Sequence, residues 1–271
     1  MNSLLLMYVV ILLVVLAVVI VAGLNRRNQQ IKKRQIIGIS WLQSLRKLLS
    51  HIQQHRGLTN GYLNGGKELI NDIYPLQKMI TADIDAIVRI DGWIESSERW
   101  GSITQHWARL AGGFESNNCD NNLIQHNNLI QNLLYLIDDM AQAHDLLLLK
   151  DSGGKPFHLS WRELLSAAEY IGQARAIGTG VAALHCCDSI SRIRLNYLCQ
   201  KITENTSRVW RDIPPSDEQR KRVDELLLCI NEKIIRDHTA IAATEYFDIA
   251  SKALNSLHDQ YDTLIEARRW Q

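Results

Sequence analysis

Two arginines offer the clearest chemistry in this sequence. In "HIQQHRGLTNGYLNGG", residues 51–66, a helical face is marked by Leu45, Leu49 and Ile52, and the next residue on it, four beyond Ile52, is Arg56. Arg175 stands in the same relation to Ile171 in "IGQARAIGTG". A guanidinium aimed into a core needs an anion, because an unpaired buried charge costs several kcal/mol. One turn to either side on the same helix there is no Asp or Glu: Ile52 and Asn60 flank Arg56, and Ile171 and Thr179 flank Arg175. The neighbours are small or neutral, Gly57, Thr59, Asn60 and Gly61 in one stretch, Ala176, Gly178, Thr179 and Gly180 in the other. They leave space beside the charge and add hydrogen-bond donors. One alternative is structural, a snorkelling arginine or the partner of a buried carboxylate. The equivalent pair instead predicts a pocket for a small anion from outside the chain.

Guanidinium geometry narrows that anion. The planar fork suits carboxylate, nitrate, nitrite or phosphate. Phosphate sites favour glycine-rich loops at helix N-termini, and neither GxxxxGK[ST] nor GxGxxG occurs. A small monovalent oxyanion is therefore preferred, with a short carboxylate as the alternative ligand. A helical scaffold that binds nothing is the alternative from another class.

Other chemistries find little support. Nine histidines are present, but His51 and His55, spaced as a metal-binding pair, have no third ligand near them, so no metal and no cofactor is expected. Asp138 and Asp139 are expected to face solvent, and no GxSxG elbow occurs. No catalytic residue is assigned and no enzyme is expected; His55 is the one base near the predicted pocket. Five cysteines without a CxxC pair read as reduced thiols packed as small hydrophobes. A net charge of +1 gives no reason to expect a nucleic-acid partner.

The elements that must position the arginines read as helices throughout. With 46% apolar residues and four prolines in 271 positions, the chain has the composition of a folded helical protein. Periodicity predicts helices over 31–62, from Pro75 through Val88, over 100–110, 123–149, 161–184 and 189–213, and a last one carrying "TEYFDIASKALNSL". Ser216 with Gln219 three later is a capping-box pattern opening another. Shifted by 119 positions, "IQQHRGLTNG" overlays "IGQARAIGTG", bringing Arg56 onto Arg175 and Gly61 onto Gly180. The expectation is all-α: an N-terminal transmembrane helix, then two tandem antiparallel up-down bundles.

The anchor is read from Leu4 to Leu24, 21 residues without a charge. At 1.5 Å per residue such a helix crosses the hydrocarbon layer of about 30 Å. No Lys or Arg precedes it, as a signal peptide would require, while Arg26, Arg27, Lys32, Lys33 and Arg34 follow. By the positive-inside rule the body lies in the cytoplasm, on the inner membrane with a single pass. The organisation is thus an anchor over 1–25, a basic juxtamembrane segment over 26–35 and a helical domain over 36–265, in halves of about 36–150 and 156–265.

Taken in order, "QQHRGLTNGYLNG", "EYIGQARAIGTGVAA" and "TEYFDIASKAL" resemble the nitrate- and nitrite-sensing (NIT) domain of bacterial signalling proteins, over about residues 36 to 265. The resemblance implies two up-down bundles with nitrate or nitrite held by arginines at their interface, binding being passed to an output module as a change in helix packing. It carries the family's first-helix arginine onto Arg56, with His55 beside it, the central one onto Arg175, and a late one onto Arg236 in "NEKIIRDHTA". Gly57, Thr59, Asn60 and Thr179 would line the pocket. About six residues, "EARRWQ", follow the last expected helix, so the output is expected on a separate protein partner, with a homodimer also considered.

Overall fold

A computed structural model describes residues 2–151, 153–239 and 241–268, with the side chains of 2–4 left out. Met1 of the expected anchor, the side chain of Leu4 and the last three residues of "EARRWQ" therefore lie outside the described residues. Eight α-helices account for nearly all of the described chain: α1 (Asn2–Leu63), α2 (Ile70–Val88), α3 (Glu98–Gly113), α4 (Cys119–Ala143), α5 (Phe157–Leu184), α6 (Ser189–Asp212), α7 (Asp217–Cys229) and α8 (Ala243–Glu266). A π-helical turn, Ile230–Ile234, extends α7.

The 62 residues of α1 form one rod, roughly 90 Å long at 1.5 Å per residue. Its first part is long and apolar enough to cross a membrane, and every side chain from Leu5 to Leu24 is exposed. Its last part is core: Trp41, Leu42, Leu45, Leu48, Leu49 and Ile52 are all buried. The helix runs on from the apolar stretch into the core because neither a proline nor a cap interrupts residues 24–38.

Several boundaries differ from expectation, and three of them have a local cause. α2 begins five residues before Pro75, since buried Leu69 and Ile73 extend the packed face upstream. Pro75 is tolerated because it lies on the exposed face, where the carbonyl it leaves unbonded can turn to water. α4 starts at Cys119 rather than 123, because the Asn118 side chain caps it by accepting from the Asn121 N–H at 2.7 Å. It stops at Ala143 rather than Leu149, where Asp145 takes a left-handed conformation (φ 57°). The Ser216–Gln219 capping box is complete in both directions.

α1 packs on α2, α4, α5 and α8, while α5 packs on α6 and α8 as well as α1, and α7 packs on α8. α1 and α5 run in parallel with the repeat-related positions opposite each other. Asn60 Nδ2 donates to the Ala176 carbonyl at 2.7 Å. A Cβ added to Gly61 would lie 2.7 Å from Thr179 Cγ2, and one added to Gly180 would lie 2.7 Å from Asn60 Nδ2. Those two close approaches exchange under the 119-residue shift, which takes 61 to 180 and 60 to 179. Glycine at both places is what lets the two backbones meet. α8 runs antiparallel to α1: Phe247 meets Gly57, while Tyr261 and Asp262 meet Leu42 and Arg46.

A candidate anion site on the α1–α5 pair

Both arginines are buried in the contact between α1 and α5, and each also reaches a third helix. Arg56 Nη1 donates to Asn127 Oδ1 on α4 at 2.6 Å; Arg175 Nη1 donates to Ser251 Oγ on α8 at 2.9 Å. Beyond that equivalence the two part company.

Arg56 has an in-chain anion, contrary to expectation. Its Nη1 donates to Glu169 Oε1 at 2.6 Å and its Nη2 to Oε2 at 3.2 Å. The carboxylate comes from α5, six residues before Arg175, so a search confined to the arginine's own helix misses it. Gln53 Nε2 (2.8 Å) and Gln173 Nε2 (2.9 Å) also donate to Glu169, so four donors converge on one buried side chain. All four are bonds accepted by the carboxyl group, the pattern of an ionised carboxylate. The visible signal in the sequence is a lone acid within the apolar run "LLSAAEYIGQARAIG".

Among the described residues, no carboxylate pairs with Arg175. It is 2% exposed, its guanidinium carbon lies 4.8 Å from the centroid of the Phe247 ring, and Nε and Nη2 are buried without a hydrogen-bond partner. Those two nitrogens form one edge of the guanidinium, with parallel N–H bonds that match two oxygens of a planar oxyanion. Burial, with repulsion from Arg56, pushes its pKa down to about 9; Glu169 and Tyr246 oppose the shift. Glycines allow the close approaches here: a Cβ on Gly57 would stand 2.8 Å from Phe247 Cε2 and 3.5 Å from Arg175 Nε, and one on Gly172 only 2.7 Å from Arg56 Nη2. A cleft of about 550 Å³ between α4, α5 and α6 approaches from solvent, lined by Arg56, Asn127, Gln173 and Arg194 among others. Of the two buried arginines it borders Arg56.

The remaining expected site residues fall elsewhere. His55 faces away from Arg175, against Trp107 and Phe114, and its Nδ1 is 2.8 Å from His126 Nε2. His126 Nδ1 sits 2.8 Å from the Asn122 carbonyl and must donate to it, so the His126 Nε2 accepts from His55. Burial pushes the His55 pKa down to about 3, leaving it neutral and unable to pair with an anion. Arg236 is exposed beyond the π-turn; its Nε donates to the Glu232 carbonyl at 3.0 Å, in a surface recess with Lys233, His238 and Glu245. Nothing there joins it to Arg56 or Arg175. The Thr59 and Thr179 hydroxyls both donate one turn back, to the carbonyls of His55 and Arg175 (2.7 Å each). Asp138 and Asp139 pair with Arg162 and Arg99 at 2.7 Å each. Among the described residues no cluster of three or more His, Cys, Asp or Glu side chains could hold a metal.

No protein-family profile matches the chain, and no curated protein matches it. Among solved structures it is similar to the NasR transcription antiterminator, with a TM-score of 0.60 over 91% of this chain and 72% of that one. At 14% identity this is a likeness of fold.

Proposed function

We propose that this chain is a membrane-anchored sensor that acts by binding, holding nitrate or nitrite on the open edge of Arg175 between two related helical bundles, α1–α4 and α5–α8. The observation that carries the reading is Arg175 itself: a buried guanidinium with two adjacent donors unfilled and no carboxylate paired with it among the described residues. Leaving it so costs several kcal/mol, and a planar oxyanion would offset that cost. Arg56 is then a second cation held nearby by Glu169, rather than a direct ligand of the same kind. The ordered motifs of the NIT domain and the fold shared with a transcription antiterminator support a regulatory role. The exposed apolar stretch of α1 serves as the anchor, the basic residues after it favour a cytoplasmic body, and the signal passes to a separate protein partner.

The pairing of Arg56 inside the chain also favours a second reading for that residue, as an organiser of packing. Calorimetric titration of nitrate, nitrite, chloride and acetate into the full chain in detergent micelles, beside Arg175→Gln, separates the readings. Saturable nitrate or nitrite heat that disappears in the variant supports the sensor. Heat with acetate alone transfers the site to a short carboxylate. No heat with any anion, from protein that melts cooperatively, leaves a scaffold.

A further inference from the structure

We infer that Glu169 sets the valence of the ligand, restricting the site to anions of a single negative charge. The inference rests on the reading of Arg175 as the anion's partner. Three ionisable groups are buried together where α1 meets α5: Arg56, Arg175 and Glu169. Both other groups act on Arg175, Arg56 by repulsion and Glu169 by attraction, so the three share one electrostatic neighbourhood. Two cations and one carboxylate leave one positive charge. A monovalent anion brings the cluster to neutrality, whereas a dianion leaves a buried negative charge with no partner.

Geometry supports the same conclusion. Glu169 takes up the Nη1 and Nη2 donors of Arg56, at 2.6 and 3.2 Å, leaving that arginine only its buried Nε without a partner, whereas Arg175 has both Nε and Nη2 of one edge unfilled. One edge presents two parallel donors, enough for two oxygens of a planar ion. The second charge of a dianion would call for the second arginine as well, and Glu169 already holds it. Gln53 on α1 and Gln173 on α5 both donate to Glu169 and hold it in place from both helices, so it is not free to swing away and release Arg56.

The test is a charge series in the full chain in detergent micelles, titrated with sodium nitrate and sodium sulfate at matched ionic strength. The wild-type chain should bind nitrate and bind sulfate at least tenfold more weakly. Glu169→Gln raises the cluster to two positive charges, and its sulfate affinity should rise at least tenfold. The double variant Arg56→Gln/Glu169→Gln restores one positive charge and should return the wild-type preference. If Glu169→Gln keeps the nitrate-to-sulfate ratio within twofold of wild type while wild type binds nitrate, the valence role is overturned and the anion site stands. A wild-type chain that binds sulfate as tightly as nitrate overturns it without any variant. Should Glu169→Gln fail to fold, a double variant that binds sulfate as well as nitrate has the same force. No anion bound by the wild-type chain overturns the site itself, and the inference with it.

Discussion

Raising the pH should release the anion in a defined window, because Arg175 can hold it only while protonated. In the free protein, burial and the repulsion of Arg56 bring this guanidinium down to about 9, from an ordinary value of 12.5. A bound anion at about 4 Å favours the protonated form by about 4 kcal/mol at an effective dielectric near 20, which returns the group to roughly its ordinary value. Anion and proton therefore bind with positive coupling. Affinity is level up to about pH 8, halves near pH 9 and is about elevenfold weaker at pH 10, following the fraction of free protein still protonated. Calorimetry of nitrate at pH 7, 8, 9 and 10 in one buffer series of constant ionic strength measures this, with circular dichroism at each pH to show that the helices persist. An affinity that holds level to pH 10 would refute the argument, since the binding cation would then be an ordinary, solvated arginine.

Acid should weaken the fold through its buried histidines. His55 and His258 are both pushed down to about 3 by burial, from a model-peptide value of 6.5, so the unfolded chain takes up more protons than the folded one between those limits. Stability therefore falls as pH drops through that window, by about 2 kcal/mol per histidine at pH 5. A melting temperature measured at pH 7 and pH 5 should drop by roughly 8–16 °C, and an unchanged value would contradict the neutral, buried state of these rings. In α5, Gly178→Ala should destabilise although alanine is the better helix former. The added Cβ would stand 2.3 Å from Cζ of the buried Tyr246 ring, whose hydroxyl donates to the Ala174 carbonyl at 2.9 Å. Overpacking of about 1–3 kcal/mol and a disturbed hydrogen bond outweigh a propensity gain of about 1 kcal/mol. Gly101→Ala in α3 has nothing within 4 Å of the new Cβ and should be neutral or mildly stabilising in the same melt.

Helices, their order and the equivalence of Arg56 with Arg175 were legible in the sequence because each depends on spacing along a single element. Ile52 and Ile171 mark the buried faces, and the arginines follow them at one turn. What is decided between elements was not legible. His55, placed beside Arg56 by sequence, turns away from α5 toward Trp107 on α3 and His126 on α4, because adjacent residues on a helix point about 100° apart. Arg236 matches a motif position, but a π-turn and an irregular segment precede α8, and they leave its side chain in solvent. The counter-ion of Arg56 was missed for the same reason, being on α5.

Glu169 also explains why two repeat-related arginines have unlike roles, and it leads to the sharpest test of the site. The 119-residue shift that takes Arg56 to Arg175 takes Glu169 back to position 50, which is a half-buried serine on α1. Arg56 gives its Nη1 to α4 and Arg175 gives its Nη1 to α8, so the missing element on the Arg175 side is the carboxylate that α1 would have to supply. Ser50→Glu should supply it. An internal carboxylate near Arg175 brings the buried cluster to neutrality before any ligand arrives. The ligand then forfeits an attraction of about 4 kcal/mol, so nitrate affinity should fall by two to three orders of magnitude. Ser50→Gln, of the same length without the charge, should bind nearly as wild type. The melting temperature of Ser50→Glu should hold or rise, because a buried cation has acquired its partner, which distinguishes lost binding from lost folding. Equal nitrate affinity in the two variants would mean that position 50 does not face Arg175, and the two-fold relation of α1 to α5 would not extend to its counter-ions.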